Sequence, residues 1–302
     1  MARDSARLIL PILRSLWDNI AFPVRTRLVS LVVPDKSRIW WCPTSVLCGL
    51  PLHAAGIYSS KVPKPNSIPD CYVSFYTPSL SALIKARSGL VTTTTNPNVL
   101  VIAQPDETLP MVNEEVGHIQ RLFNNADILE GRDANHDTVL SGLQIHSWVH
   151  FACHGYPVND QPFHSCFQLH DHSRLELVKL ILPAQFPDAE LAFLSACHTP
   201  PSGDVLVGSG TSSTPDSDSV IHLAAALQFC GFQVRSVVGT LWAMEDDDGC
   251  VVRKDFYRYM FCIPGAVPNF RDSVEALHLA IREMRKRGLG LDHWVKFVHV
   301  GA

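Results

Sequence analysis

Trp148-Val149-His150-Phe151-Ala152-Cys153-His154-Gly155 and Leu191-Ala192-Phe193-Leu194-Ser195-Ala196-Cys197 decide how this chain is read. Each is an apolar run of strand length that ends on a reactive side chain. Runs that are apolar on both faces are expected of strands covered on both sides in a parallel sheet. Two such strands ending side by side bring the imidazole of His154 and the thiol of Cys197 to one rim. Ligands of open α/β sheets bind at that carboxyl rim. A cysteine nucleophile needs this company, because only the thiolate attacks and a nearby His can take its proton.

The pattern continues on either side. Val99-Leu100-Val101-Ile102-Ala103 is a third continuous apolar run, and Ser236 to Leu241 reads as another strand. Ala126 to Leu129 is a short strand. Helices are predicted over Asn113–Phe123, Asp137–Leu143, Ser219–Cys230, Gly249–Met260 and Arg271–Arg287. Alternation of this kind predicts an α/β fold, a mostly parallel central sheet with helices on both faces. Upstream the pattern differs. Residues 5–20 repeat Leu8, Ile12 and Leu16, with Leu13 and Trp17, at helical spacing, an amphipathic helix blurred by Pro11. Ile39 to Cys42 and Leu50 to Ala55 read as paired strands of a buried hairpin. Tyr72 to Tyr76 is a strand and Ser79 to Arg87 a short helix. The polar stretch Thr92 to Pro97 marks a boundary between an N-terminal part, 1–97, and a catalytic part, 98–302.

Composition narrows the function. The 302 residues are 46% hydrophobic, enough for a large core. A net charge of −4, from 25 Lys+Arg against 29 Asp+Glu, points to neither nucleic acid nor an anionic membrane. Nine scattered cysteines, an odd count, argue against a disulfide framework and for a reducing, cytoplasmic compartment. No Cys-x-x-Cys pair exists, and His164, His170 and His172 lack a thiol or carboxylate to complete a ligand set, so no metal or other cofactor is expected. The Leu8–Leu13 apolar run is too short for a signal core. Pro43, Gly49, Pro51 and Gly56 interrupt the uncharged stretch Ile39–Ser60, so no membrane span is expected.

Other residues compete for the site. Cys153 precedes His154, but alternation along a strand points it to the opposite face. His198 is adjacent to Cys197, and adjacent residues rarely face each other. His150 lies inside its strand, as a core histidine would. Ser195 shares the Cys197 face but lies deeper. There is no Gly-x-Ser-x-Gly elbow, and Gly208-Ser209-Gly210 sits in a polar loop without the strand and helix of a phosphate-binding motif. The spacing favours His154 with Cys197: the His lies 43 residues upstream, against roughly 50 in caspase-type proteases. In this reading Cys197 attacks, His154 assists proton transfer, and the backbone amides of Gly155 and Cys197 form an oxyanion hole. The acidic run Glu245-Asp246-Asp247-Asp248 follows the last strand on the same rim. Most of it reads as helix capping. Asp246 is kept as a candidate for receiving a basic substrate side chain.

The two segments resemble the signature segments of CHAT domains, a caspase- and separase-like family. Trp40-Trp41-Cys42-Pro43-Thr44, Leu50-Pro51-Leu52-His53-Ala54-Ala55-Gly56 and Tyr72-Val73-Ser74-Phe75-Tyr76-Thr77-Pro78-Ser79-Leu80 resemble the fungal branch. Ile221-His222-Leu223-Ala224-Ala225-Ala226, Val238-Gly239-Thr240-Leu241-Trp242 and Phe297-Val298-His299-Val300-Gly301 continue the match to the end of the chain. The resemblance implies a caspase-like fold, a pseudo-caspase-like N-terminal half, and a Cys–His peptidase dyad at Cys197 and His154. It also implies a protein or peptide substrate and regulation by tetratricopeptide-repeat or other partner proteins.

This chain departs from the family where an acidic pair usually precedes the helix at Ile221. Here the stretch reads Asp216-Ser217-Asp218-Ser219-Val220, after the long polar segment Thr199–Ser219. A loop of that length beside a nucleophile is expected to be mobile and to shape the cleft on ordering or cleavage. The departure, and the missing repeat array, motivate a second reading: a catalytically silent signalling or scaffold module. A non-peptidase cysteine hydrolase is the third.

Overall fold

The computed structural model describes residues 2–59, 66–88, 97–123, 126–156, 158, 161–181, 189–195, 223–224, 227, 235–242, 246–261 and 267–302. Among these, eight strands form one sheet: β1 (Arg38–Trp41), β2 (Val73–Tyr76), β3 (Val99–Ala103), β4 (Asp127–Glu130), β5 (Trp148–Ala152), β9 (Leu191–Leu194), β10 (Ser236–Thr240) and β11 (Phe297–Gly301). A small antiparallel sheet holds β6 (Gly155–Tyr156), β7 (Cys166–Gln168) and β8 (Arg174–Glu176). The large sheet runs β1-β2-β11-β10-β9-β5-β3-β4. Neighbours are parallel except β10 and β11, which pair antiparallel. The fold is mixed α/β with a mostly parallel centre, and the strands read from apolar runs are its middle.

Alternation along these strands builds two cores. Leu100, Ile102, Val149, Phe151, Ala192 and Leu194 face one side, and Val99, Val101, Trp148, Ala152, Leu191 and Phe193 face the other. Helix His136–Ile145 covers the first side; helices Val112–Leu122, Asp246–Phe261 and Ser273–Lys286 cover the second. Asn135 starts helix His136–Ile145, its side chain accepting from the Asp137 and Thr138 amides in a capping box. Each fully buried Phe or Leu on these faces contributes about 2–3 kcal/mol relative to exposure. Gly301 adopts φ +134°, and a Cβ there would sit 2.1 Å from the Arg235 carbonyl oxygen, so only glycine closes β11.

Two expectations for the N-terminal part need correction. No hairpin joins residues 39–42 to 50–55. β1 pairs in parallel with β2, Trp41 opposite Tyr76, and Leu52–Ala54 is a buried 3-10 turn. Pro51 has no N–H to give a ladder, whereas β2 offers a full edge. The N-terminal part therefore contributes helices and two strands of the shared sheet, not β-hairpins. The first helix also runs further than 5–20. It spans Ala2–Leu16, widens into a π-turn at Trp17–Ala21 and continues over Phe22–Ser30. Pro23 explains the widening: it cannot donate to Asn19 and its ring would strike that carbonyl, and the turn instead closes from the Phe22 amide to the Trp17 carbonyl. Leu13, Leu16, Trp17 and Ala21 of this helix are buried, while Leu8 is 72% exposed. No described helix is long and apolar enough to cross a membrane.

Candidate active site

His154 lies just past the carboxyl end of β5, where the chain turns into the small sheet. The Gln104 amide caps the end of β5 by donating to the Ala152 carbonyl (2.9 Å), and the Gln168 amide donates to the His154 carbonyl (2.8 Å). His154 is 5% exposed. Its Nε2 stands 2.9 Å from Asp106 Oδ2 and 2.9 Å from Thr108 Oγ1. Asp106 follows β3 in a tight turn. Its Oδ1 accepts from the Thr108 amide (2.8 Å), the Thr108 hydroxyl (2.7 Å) and the Leu109 amide (3.0 Å). Burial pushes the Asp106 carboxyl up, but the Thr108 hydrogen bonds and His154 together hold it below the ordinary range. An ionised Asp106 can only accept, so Nε2 carries a proton, and whenever the ring is neutral Nδ1 presents the lone pair. Nδ1 is buried and has no partner among the described residues. In the neutral ring this is the tautomer of a base. Tyr156, 6.1 Å away ring to ring, flanks it, held by its hydroxyl on Gln168 Oε1 (2.7 Å).

We expect Asp106→Asn to release this tautomer. The ¹⁵N shifts of His154 at pH 8 report a fixed Nε2–H form in the parent and a mixture in the variant; an unchanged spectrum would show that the carboxylate does not set the tautomer.

Gly155 pairs with Phe167 across β6 and β7. Hydrogen-bonded and non-bonded pairs alternate in an antiparallel ladder. Because Gln168 donates to His154, the Gly155–Phe167 pair is the non-bonded kind, and the Gly155 amide points away from β7. That leaves a backbone donor next to the imidazole.

β9 runs parallel beside β5, with Phe151 opposite Leu194, and the Ser195 amide donates to the Phe151 carbonyl (2.9 Å). Ser195, the residue after this strand, is the last one described before a gap. Cys197, His198 and the segment Thr199–Ser219 lie outside the described residues. So does most of the helix expected over Ser219–Cys230 and the departure at 216–220. Asp246 opens helix Asp246–Phe261, and its side chain is also outside the described set.

The competitors take structural places. Cys153 is fully buried with Phe151 and Phe167, and burial pushes its thiol far up. His150 is core, as read: its Nε2 donates to Glu115 Oε1 (2.6 Å) and its Nδ1 accepts from the Tyr257 hydroxyl (2.7 Å). Asp248 grips the buried Lys296 Nζ (2.8 Å) and His293 Nδ1 (2.6 Å). It ties helix Asp246–Phe261 to the approach of β11. His164 meets Glu176 and His170 meets Asp171, and no group of described side chains is placed to hold a metal.

A buried ionic cluster sits beneath the rim. Glu115 receives Arg253 Nη1 (2.5 Å), His150 Nε2 and Ser195 Oγ (3.1 Å). Burial pushes the Glu115 carboxyl up, but Arg253, His150 and Ser195 outweigh it and keep it ionised. Through Ser195 the cluster holds the end of β9, two residues before Cys197. Asp106, Thr108, Glu115 and Arg253 did not stand out in the sequence. The usable signal for Asp106 was its place directly after a predicted parallel strand.

A search of curated protein sequences finds no match. Two structures of the Saccharomyces cerevisiae separase–securin complex are similar in fold, at 15% identity with a TM-score of 0.51 and 14% with 0.55. Each alignment covers 87% of this chain and 15% of the separase chain, so the chain spans under a sixth of that protein's length. Gingipain R (RgpB), the Arg-specific cysteine proteinase of Porphyromonas gingivalis, aligns at 11% identity over 76% of this chain and 54% of its own, TM-score 0.47. The family model for the CHAT domain matches residues 10–302. With that match over nearly its whole length, and a caspase-like sheet beneath it, the chain belongs to the CHAT domain family.

Proposed function

We propose that this protein is a caspase-like cysteine endopeptidase. Cys197 is the nucleophile, His154 Nδ1 takes its proton, and the amides of Gly155 and Cys197 hold the oxyanion; Asp106 keeps the imidazole in its base tautomer. The observation that carries this reading is the buried His154 ring, its Nε2 against Asp106 and its Nδ1 without a partner among the described residues, beside the strand that leads to Cys197. Asp246 supplies a carboxylate for a basic substrate residue. The separase of known structure is bound to securin, and by that likeness we include a protein partner as regulator. Six described cysteines are free thiols, which fits a cytoplasmic setting.

The test is labelling by an electrophilic peptide ketone, read by intact mass. Cys197→Ala removes the label, and His154→Ala slows it by about 10²–10⁴. Label that persists on the Cys197→Ala protein would remove that thiol from the mechanism. The silent-module reading, motivated by the departure at 216–220, forecasts no labelling with any candidate partner present.

A further inference from the structure

Far from His154, at the β1 edge of the sheet, a cleft of about 240 Å³ opens between β1, the end of helix Leu80–Ser88 and the 3-10 turn Phe270–Asp272. It is well over ten times the roughly 10–15 Å³ that admits one water. Arg38, Arg87 and Arg271 line it, with Trp40 and Phe270. The whole chain carries a net −4, so three guanidiniums around one cleft are a local reversal of sign. Two carboxylates approach them. Glu275 is taken up by Arg38 Nε (2.6 Å), and burial pushes the Asp272 carboxyl up against the pull of Arg38. Arg87 and Arg271 make no ion pair among the described residues.

Their positions are nevertheless set. The Arg87 guanidinium lies 5.2 Å over the Trp40 ring, and that of Arg271 lies 5.8 Å over Phe270. Trp40 is itself fixed, stacked on Phe75 at 4.6 Å and donating from Nε1 to the Gly301 carbonyl at 3.1 Å. A guanidinium resting on a ring spends its face and keeps its in-plane N–H donors. Such donors match tetrahedral oxyanions two at a time. Two cations without an ion pair among the described residues match a dianion better than a single carboxylate.

We propose that this cleft binds a phosphomonoester dianion, gripped by Arg87 and Arg271 and flanked by the Arg38–Glu275 pair. The site is separate from the His154 rim, and it stands whether or not Cys197 is nucleophilic. Calorimetric titration of the full chain at constant ionic strength tests it, with inorganic phosphate, adenosine monophosphate and a phosphoserine peptide as probes. Binding is expected for at least one probe; the tightest identifies the carrier as free phosphate, nucleotide or peptide. Arg87→Gln with Arg271→Gln is expected to weaken it about tenfold or more, and Arg87→Lys, which keeps charge but loses the fork, by less. Arg132→Gln, on the surface elsewhere, leaves it unchanged. The variants replace exposed side chains, and circular dichroism checks their folding. Absence of binding, affinity untouched by the double substitution, or acetate binding as tightly as phosphate would each overturn the proposal.

Discussion

Replacing Glu115 with Ala lowers folding stability by about 3–5 kcal/mol, read as the shift in a urea unfolding midpoint. The carboxylate is the acceptor of a cluster that water does not reach: Glu115 is 1% exposed, Arg253 1% and His150 fully buried. Its loss strands the Arg253 guanidinium, whose Nε already lacks a partner among the described residues, and removes the acceptor of the His150 Nε2–H. An uncompensated buried charge costs that much, whereas replacing a whole buried pair with apolar groups is often neutral. Glu115→Leu combined with Arg253→Met therefore recovers most of the loss, although neither substitution restores a contact. A single variant that loses under about 1 kcal/mol would show that water or rearrangement already satisfies the cluster. The cluster also holds Ser195 (3.1 Å), so the repaired double variant separates stability from geometry. We expect it to fold but to alkylate Cys197 more slowly, since the Ser195 hydroxyl loses the Glu115 carboxylate while its amide keeps the Phe151 carbonyl.

The second large effect is on acid stability. His53, His278 and His299 line one cavity of about 30 Å³ between β2, β11 and helix Ser273–Lys286. Burial lowers all three, His53 and His278 to about 4 and His299 to about 3; Lys36, Arg282 and Arg285 depress His278 further, and Arg38 acts on His299. Among the described residues Asp70 is the anion that raises His278, and His299 Nε2 meets the hydroxyls of Ser236 (2.5 Å) and Ser273 (2.9 Å). These rings stay neutral when folded, and the unfolded chain takes up their protons below about pH 6.5. The unfolded state then binds more protons, so stability falls as pH drops from about 6.5 towards 4 and flattens once the folded rings also protonate. Each fully buried ring contributes on the order of 3 kcal/mol to that fall. Urea midpoints at pH 7.5, 6 and 5 measure it, and His278→Gln reduces the slope. A flat profile between pH 7.5 and 5 would mean the cavity opens to water.

The central sheet was legible because its strands are covered on both faces. The runs 99–103, 148–152 and 191–194 have no polar face to confuse with a helix, and their alternation correctly separated Cys153 from the rim and put His150 in the core. The edge was not legible. β1 pairs with β2 across some thirty intervening residues, and nothing in Arg38–Trp41 states its partner; the nearer segment Leu50–Ala55 was equally apolar. Polar residues that act at a distance were missed for the same reason. Asp106 looks like any loop Asp until β3 is placed beside β5. Asp248 looks like a helix cap until Lys296, 48 positions on, arrives at 2.8 Å. The position of His154 at a strand end could be read from sequence; what locks its tautomer could not.

The order of strands has a consequence for synthesis. β1 and β2 join the rest of the sheet only through β11, where Val300 stands opposite Tyr76. More than two hundred residues separate β2 from that strand, and a ribosome adds roughly 5–20 residues each second. The first pair of strands thus waits tens of seconds with a bare edge before its neighbour is made, a delay during which a chaperone or a binding partner has first access to it.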